Sequence, residues 1–210
     1  MSPQRQWGDM IKTVIFDLGG VIVPLDFPRG YRAMSERCGL APADIPERIR
    51  TTGLVPRYEC GEVSDEEFIA GLTGVLGFEA TRAEFRALWS SIFPSHTLIP
   101  ESLLLEIKKN HRLVLLSNTN GLHFEMILEN YPLLRHFDDY VLSYKVGAMK
   151  PAPSIYTEAI AKAGCAPEEC FYTDDIPAYV EGAKQAGIDA VQFLSHEQVV
   201  GELRARGVAV

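Results

Sequence analysis

Four segments of this 210-residue chain end an apolar run or a tight turn on a side chain that can do chemistry. Asp17 follows Thr13-Val14-Ile15-Phe16 and precedes Leu18-Gly19-Gly20-Val21, and Ser117 closes the run Leu113-Val114-Leu115-Leu116. Lys150 stands in Gly147-Ala148-Met149-Lys150-Pro151, and Asp174-Asp175 follow Cys170-Phe171-Tyr172-Thr173. An acid at the carboxyl end of a buried strand lies on the edge where open α/β sheets bind their ligands. Taken alone, Asp17 reads as a nucleophile, a metal ligand or a helix N-cap. Adjacent carboxylates repel, so Asp174-Asp175 calls for a compensating cation or buried donor. Mg²⁺ suits such a pair, with a main-chain carbonyl and waters completing its octahedron; the plainer reading is a solvated turn before Pro177.

Lys150, pinned between a glycine turn and a proline, offers a compact ammonium that can clamp a carboxylate and a phosphoryl oxygen together. At the end of its strand, the Ser117 hydroxyl and the main-chain N–H groups that follow, beginning with Asn118, can bind an anion, while Asn120 reads as the cap of a helix starting near Leu122. Attack of a carboxylate on a phosphoryl group gives an aspartyl-phosphate, and the repulsion between the two anions must be offset by cations and donors. The four segments contain those parts.

The elements that must position them alternate. Apolar runs at Lys12–Phe16, Arg112–Leu116, Tyr140–Ser143, Glu169–Thr173 and Ala190–Phe193 predict strands, and helical patterns fall at Leu122–Asn130, Ser154–Ala163 and Ala178–Ala186. Gly164 and Gly187 stand just past the last two, where a left-handed cap is wanted. The pattern predicts an α/β fold: a doubly wound, Rossmann-like parallel sheet covered on both faces.

About a hundred residues separate Asp17 from Ser117, far more than one crossover needs. The excess is mostly helical. Pro28–Cys38 opens with a proline suited to a first turn, and Ser64-Asp65-Glu66-Glu67 and Thr81-Arg82-Ala83-Glu84 have capping-box spacing. Phe68, Leu72, Val75 and Leu76 share one face, as do Phe85, Leu88, Trp89 and Ile92. A small helical cap is therefore expected at 25–97, inserted after the first strand into a core made of 1–24 and 98–210. Trp89, Phe68, Phe85 and Phe93 are expected in the cap core, and the stretches Gly53-Leu54-Val55-Pro56 and Pro94-Ser95-His96 as cap loop and hinge.

A formal charge of -8 with no Lys/Arg cluster argues against nucleic acid as a partner. No apolar run is long enough to span a bilayer, and Met1–Met10 reads as polar without a signal sequence, so no membrane partner and a cytoplasmic location are expected. The four cysteines show no Cys-x-x-Cys pairing or zinc spacing and read as reduced structural thiols. Four of the five histidines read as surface or capping residues; His123, six residues after Ser117, reads either as a further bland histidine or as one that faces the site from the first turn of a helix.

In order, Asp17, Ser117, Lys150 and Asp174-Asp175 resemble the four-motif signature of the haloacid dehalogenase-like hydrolase superfamily, over Lys12 to about Phe193. The resemblance implies Asp17 as nucleophile, Ser117 and Lys150 as phosphate binders, and Mg²⁺ held by Asp17, the Gly19 carbonyl, Asp174 and Asp175. The strings Leu116–His123 and Gly147–Tyr156 look most like the small-cap branch that hydrolyses α-D-glucose 1-phosphate. Two positions depart from the family. Gly19 stands where an Asp usually acts as general acid, as it also does in that branch, and Tyr179 replaces a common Asn. The implied activity is Mg²⁺-dependent hydrolysis of a small phosphorylated metabolite, such as a sugar phosphate. A metal-free 2-haloacid dehalogenase, which needs no general acid, and a non-catalytic binding protein are the other readings.

Overall fold

A computed structural model describes residues 11–210; Met1–Met10, with the reading that they carry no signal sequence, lie outside the described residues. Strand β1 (Thr13–Phe16) is followed by α1 (Phe27–Cys38), α2 (Ile45–Thr51), α3 (Leu54–Glu59), α4 (Asp65–Leu76), α5 (Arg82–Trp89) and a 3₁₀ turn at Ser90–Ile92. The chain then runs through α6 (Glu101–Lys108), β2 (Arg112–Ser117), α7 (Gly121–Asn130), β3 (Asp139–Leu142) and the single turn α8 (Ser143–Val146). It ends with α9 (Pro153–Ala163), β4 (Cys170–Asp174), α10 (Pro177–Gln185), β5 (Asp189–Gln192) and α11 (His196–Ala205).

The five strands form one parallel sheet in the order β3-β2-β1-β4-β5, as the alternating pattern predicts. Side chains alternate between its faces. Val14, Phe16, Leu113, Leu115 and Phe171 pack on one side with residues of α6, α7 and α11, and Ile15, Val114, Leu116 and Tyr172 pack on the other with residues of α9 and α10. Burial of both faces is why these strands read as unbroken apolar runs. Phe16 pairs with Leu115 on one side and Thr173 on the other, so β1, β2 and β4 end nearly level. The chain leaves β1 toward β2 on one flank and reaches β4 on the other, and such a switch point opens a crevice at the carboxyl ends.

Helices α1 to α5 gather their own apolar cluster around Phe68, Leu72, Phe85 and Trp89. Both expected capping boxes are formed, by Ser64 with Glu67 and by Thr81 with Glu84. Leu122 of α7 also belongs to this cluster, so the helical layer is seated on the first turn of a helix that flanks the sheet. Ion pairs reinforce the seat: Arg82 bridges Asp65 and Glu125, and Arg86 reaches Glu125 and Glu129.

Two local expectations change. Only Gly53, at φ 63°, breaks the helix between α2 and α3, and Leu54-Val55-Pro56 form the first turn of α3 instead of a loop. Pro56 fits there because first-turn N–H groups have no intrahelical acceptor to lose. Phe93 packs against the sheet-side cluster and edge-on to His123 instead of entering the helical layer's core. Among the described residues the four cysteines are free, with Cys165 and Cys170 Sγ atoms 3.5 Å apart, and no helix is long and apolar enough to cross a membrane.

Candidate active site

The turn after β1 brings Asp17, only 5% exposed, to the mouth of the crevice. Its N–H donates to Thr173 O at 3.1 Å, which ties it to the end of β4. Asp174 closes β4, and Asp175 follows it. The three acids each offer an oxygen, and those oxygens lie within 4.8 Å of one another. Lys150 comes from the turn before α9 and is 3% exposed. Its Nζ donates to Asp17 Oδ1 at 2.8 Å and to Asp174 Oδ2 at 2.6 Å. Leu116 O at 3.3 Å and the Tyr172 hydroxyl at 3.1 Å complete its surroundings.

Three carboxylates thus meet one ammonium, and the balance is negative. Burial, opposed by Lys150 and reinforced by Asp174, pushes the Asp17 carboxyl up to about 7. Burial and then Asp174 raise Asp175 as well. Burial works against the Lys150 charge, but Asp17 and Asp174 outweigh it and hold the lysine above its ordinary value. Asp174 is fully engaged: Oδ2 meets Lys150 and the Tyr172 hydroxyl, and Oδ1 accepts from Ile176 N at 2.8 Å.

Asp175 is not: its buried Oδ1 has no hydrogen-bond donor among the described residues. The neighbouring backbone is shaped to this carboxylate, since a Cβ at Gly20, where φ is 80°, would lie 2.5 Å from Asp175 Oδ2. A carboxylate left without a donor, in a cluster short of positive charge, fits a hard divalent cation with oxygen ligands.

Ser117 is buried at the end of β2, next to Asp17 across the sheet, and its Oγ makes only a long 3.3 Å contact to Asn118 O. The Asn118 side chain is occupied elsewhere. Its Oδ1 accepts from Lys150 N at 2.8 Å and its Nδ2 donates to Lys150 O at 3.1 Å, fixing the lysine's main chain. That leaves the Asn118 main-chain N–H as the group of this residue that could join Ser117 in holding an anion. Asn120 caps α7 by accepting from His123 N at 3.0 Å.

Tyr172 carries contacts that motif spacing does not single out. Tyr172 lies two residues before Asp174 on β4, hence on the same face, and that period of two is the signal that points to it. Tyr179 meets Asn118 Nδ2 at 3.3 Å through its hydroxyl, and its ring centroid lies 5.0 Å from Lys150 Nζ.

His123 is buried, with its ring stacked on Trp89. Nε2 lies 3.1 Å from Trp89 O, an acceptor that assigns the proton to Nε2, and Nδ1 lies 3.2 Å from Asn120 Nδ2. Burial pushes its pKa down to about 4, so at neutral pH it is an uncharged packing residue.

Known proteins resemble this chain over most of its length. The family model of haloacid dehalogenase-like hydrolases matches residues 11–187. A D-ribitol-5-phosphate phosphatase of Bacteroides thetaiotaomicron is 33% identical over 190 residues, 87% of this chain and 92% of the relative. A phosphorylated carbohydrates phosphatase of Thermotoga maritima is 27% identical over 95% of this chain and 94% of its own. Among solved structures, a haloacid dehalogenase family enzyme of B. thetaiotaomicron in complex with magnesium and inorganic phosphate superposes with a TM-score of 0.79. It is 28% identical, over 88% of this chain and 95% of that one.

Proposed function

From the premise that the chain belongs to the haloacid dehalogenase-like hydrolases, we propose that it is a Mg²⁺-dependent phosphatase of small sugar or polyol monophosphates, acting through an aspartyl-phosphate on Asp17. The observation that carries the reading is the cluster of Asp17, Asp174 and Asp175 around the single ammonium of Lys150, with one Asp175 oxygen unpartnered. Similarity to two proteins named as phosphatases of phosphorylated polyols and carbohydrates supports the substrate class.

Asp17, the Gly19 carbonyl, Asp174 and Asp175 would hold Mg²⁺, which when bound offsets the charge of the carboxylates and of the phosphoryl group. A carboxylate oxygen of Asp17 forms the bond to phosphorus as the bond to the leaving oxygen breaks, and water then hydrolyses the acyl phosphate to release phosphate and restore Asp17. Lys150 keeps Asp17 oriented and takes up negative charge on the transferring group. The Ser117 hydroxyl and the Asn118 N–H receive phosphoryl oxygens. The proposed division assigns this machinery to a core of 1–24 and 98–210 and the leaving-group side to a cap of 25–97. Four free thiols fit a cytoplasmic setting.

A panel of sugar and polyol monophosphates with one 2-haloacid, assayed with Mg²⁺ and with chelator, tests the reading. Phosphate release that depends on Mg²⁺ is expected. Phosphate release undiminished by chelator, or halide release in its presence, would overturn it; a dehalogenase gains nothing from Asp174-Asp175.

A further inference from the structure

Between the sheet's carboxyl edge and the helical layer lies a cavity of about 420 Å³. Gly19, Ser117 and Asn118 line its floor, and Phe27, Ile49 and Trp89 belong to its largely apolar wall. Four of its lining residues can carry charge: Tyr31, Arg50, Glu59 and His123. Three of them bring none into the space. Arg50 is paired in two hydrogen bonds with Glu47, at 2.8 and 2.6 Å, and its side chain is 72% exposed. His123 is neutral, and burial raises the Tyr31 hydroxyl further above neutrality.

Glu59, the last residue of α3, is different. Its carboxyl has no hydrogen-bond or ion-pair partner among the described residues, and burial alone pushes it up to about 7. At about pH 8 it is mostly ionised, an acceptor without donors in a space that opens on the phosphate end of the site. A polyol tail supplies O–H donors to it, whereas a carboxylate or second phosphate supplies only acceptors and charge of the same sign.

We propose that Glu59 determines specificity by selecting phosphate esters with an uncharged, hydroxylated leaving group, accepting hydrogen bonds from its hydroxyls and repelling a second anionic group. The assignment rests on the phosphatase reading above. Two unit charges a few ångströms apart at an effective dielectric of about 20 repel by enough to change a rate ratio on the order of 10²-fold. The apolar wall packs on the carbon chain without regard to its charge.

The test compares kcat/KM for ribitol 5-phosphate and for the matching aldonate, ribonate 5-phosphate, at pH 8 with Mg²⁺, in the wild type, Glu59→Gln and Glu59→Lys. p-Nitrophenyl phosphate, which lacks a polyol tail, reports separately on phosphatase activity in the wild type. The wild type should prefer the polyol ester by about 10²-fold. Glu59→Gln should narrow that ratio to about tenfold or less, chiefly through KM, and Glu59→Lys should favour the aldonate. A purely structural role would change both esters alike and leave the ratio in place, which overturns the proposal. So does a wild-type ratio near one, a result that needs no variant to fold, or wild-type cleavage of the aryl ester with neither ribose-derived ester turned over. Failure of the wild type to release phosphate from any of the three would instead bring down the phosphatase reading, and this inference with it.

Discussion

Replacing Gly19 by Asp places a carboxyl two residues beyond Asp17, on the floor of the cavity that faces the leaving group. The backbone accepts the change, because the positive φ in this turn belongs to Gly20 and not to Gly19. A Cβ at Gly19 would meet Leu25 Cδ1 at 3.1 Å. That neighbour is a terminal methyl on a residue 40% exposed, so it can yield toward solvent. Any residual strain is offset by the reduced freedom of the unfolded chain, worth about 0.4–1 kcal/mol when glycine gains a side chain. The midpoint of thermal unfolding should therefore move by no more than about 4 °C. Gly20→Ala is the contrasting control, since its Cβ falls 2.5 Å from Asp175 Oδ2 at a φ of 80°.

The chemical gain follows from what the wild type lacks. Without an acid at position 19, the rate should fall steeply as the leaving-group pKa rises. The largely apolar cavity disfavours the charged form of the new carboxyl and raises its pKa toward the protonated form a proton donor needs. General acid catalysis contributes on the order of 10²-fold to esters with poor leaving groups. Alkyl phosphates should gain about that factor in Gly19→Asp, and aryl phosphates little. The assay is kcat/KM with Mg²⁺ across alkyl and aryl phosphates of graded leaving-group pKa, on both proteins, with folding followed by circular dichroism. Equal slopes in a folded variant would refute the reasoning and assign the proton to water or to the substrate's own hydroxyls. His123 is not the alternative donor, because its Nε2 proton is directed at Trp89 O and the ring is uncharged.

Asp17→Asn, nearly isosteric, should lower kcat by at least about 10³-fold with the circular dichroism spectrum unchanged; more than a tenth of wild-type activity would exclude Asp17 as nucleophile. Asp175→Ala removes the acid whose Oδ1 stands unpartnered and should raise the Mg²⁺ concentration for half-activation at least about tenfold or abolish activity; an unchanged Mg²⁺ titration would remove Asp175 from the metal site. His123 predicts a pH effect on stability. Its folded pKa is about 4 against an ordinary 6.5, so the unfolded chain binds this proton more readily between those values. The contribution is complete above about pH 6.5 and is lost as pH falls toward 4, amounting to roughly 3 kcal/mol. His123→Phe should remove that part of the slope in urea unfolding between pH 7 and 4.5; parallel curves for the two proteins would show that His123 does not titrate this way.

How far the sequence discloses such a site depends on whether a residue's place follows from topology or from packing. Asp17 directly follows β1, and Ser117 and Asp174 close β2 and β4; in a parallel sheet those ends lie on one edge, so apolar runs suffice to bring them together. The helices of the inserted layer that announce themselves by capping boxes, α4 and α5, are legible for the same local reason. Short α2 and α3, and α6 and α11 at the flanks, carry weaker local signals and are not legible as helices in the sequence. The remaining features depend on contacts between distant segments. Nothing local says that Leu122 joins the apolar cluster of α4 and α5, that His123 is enclosed by Trp89 and Phe93, or that Glu59 lines the cavity over Ser117. The two departures from the family pattern separate on this basis. Tyr179 reaches from α10 to Asn118 and lays its ring beside Lys150, so at that position the residues of the proposed phosphate side have a neighbour in contact with them. At Gly19 the three nearest atoms to a Cβ are side-chain carbons of Leu25, which have no proton to donate. On the proposed reading the deficit lies on the leaving-group side, and the kinetics should differ from those of an Asp-bearing relative in leaving-group dependence rather than in phosphate binding.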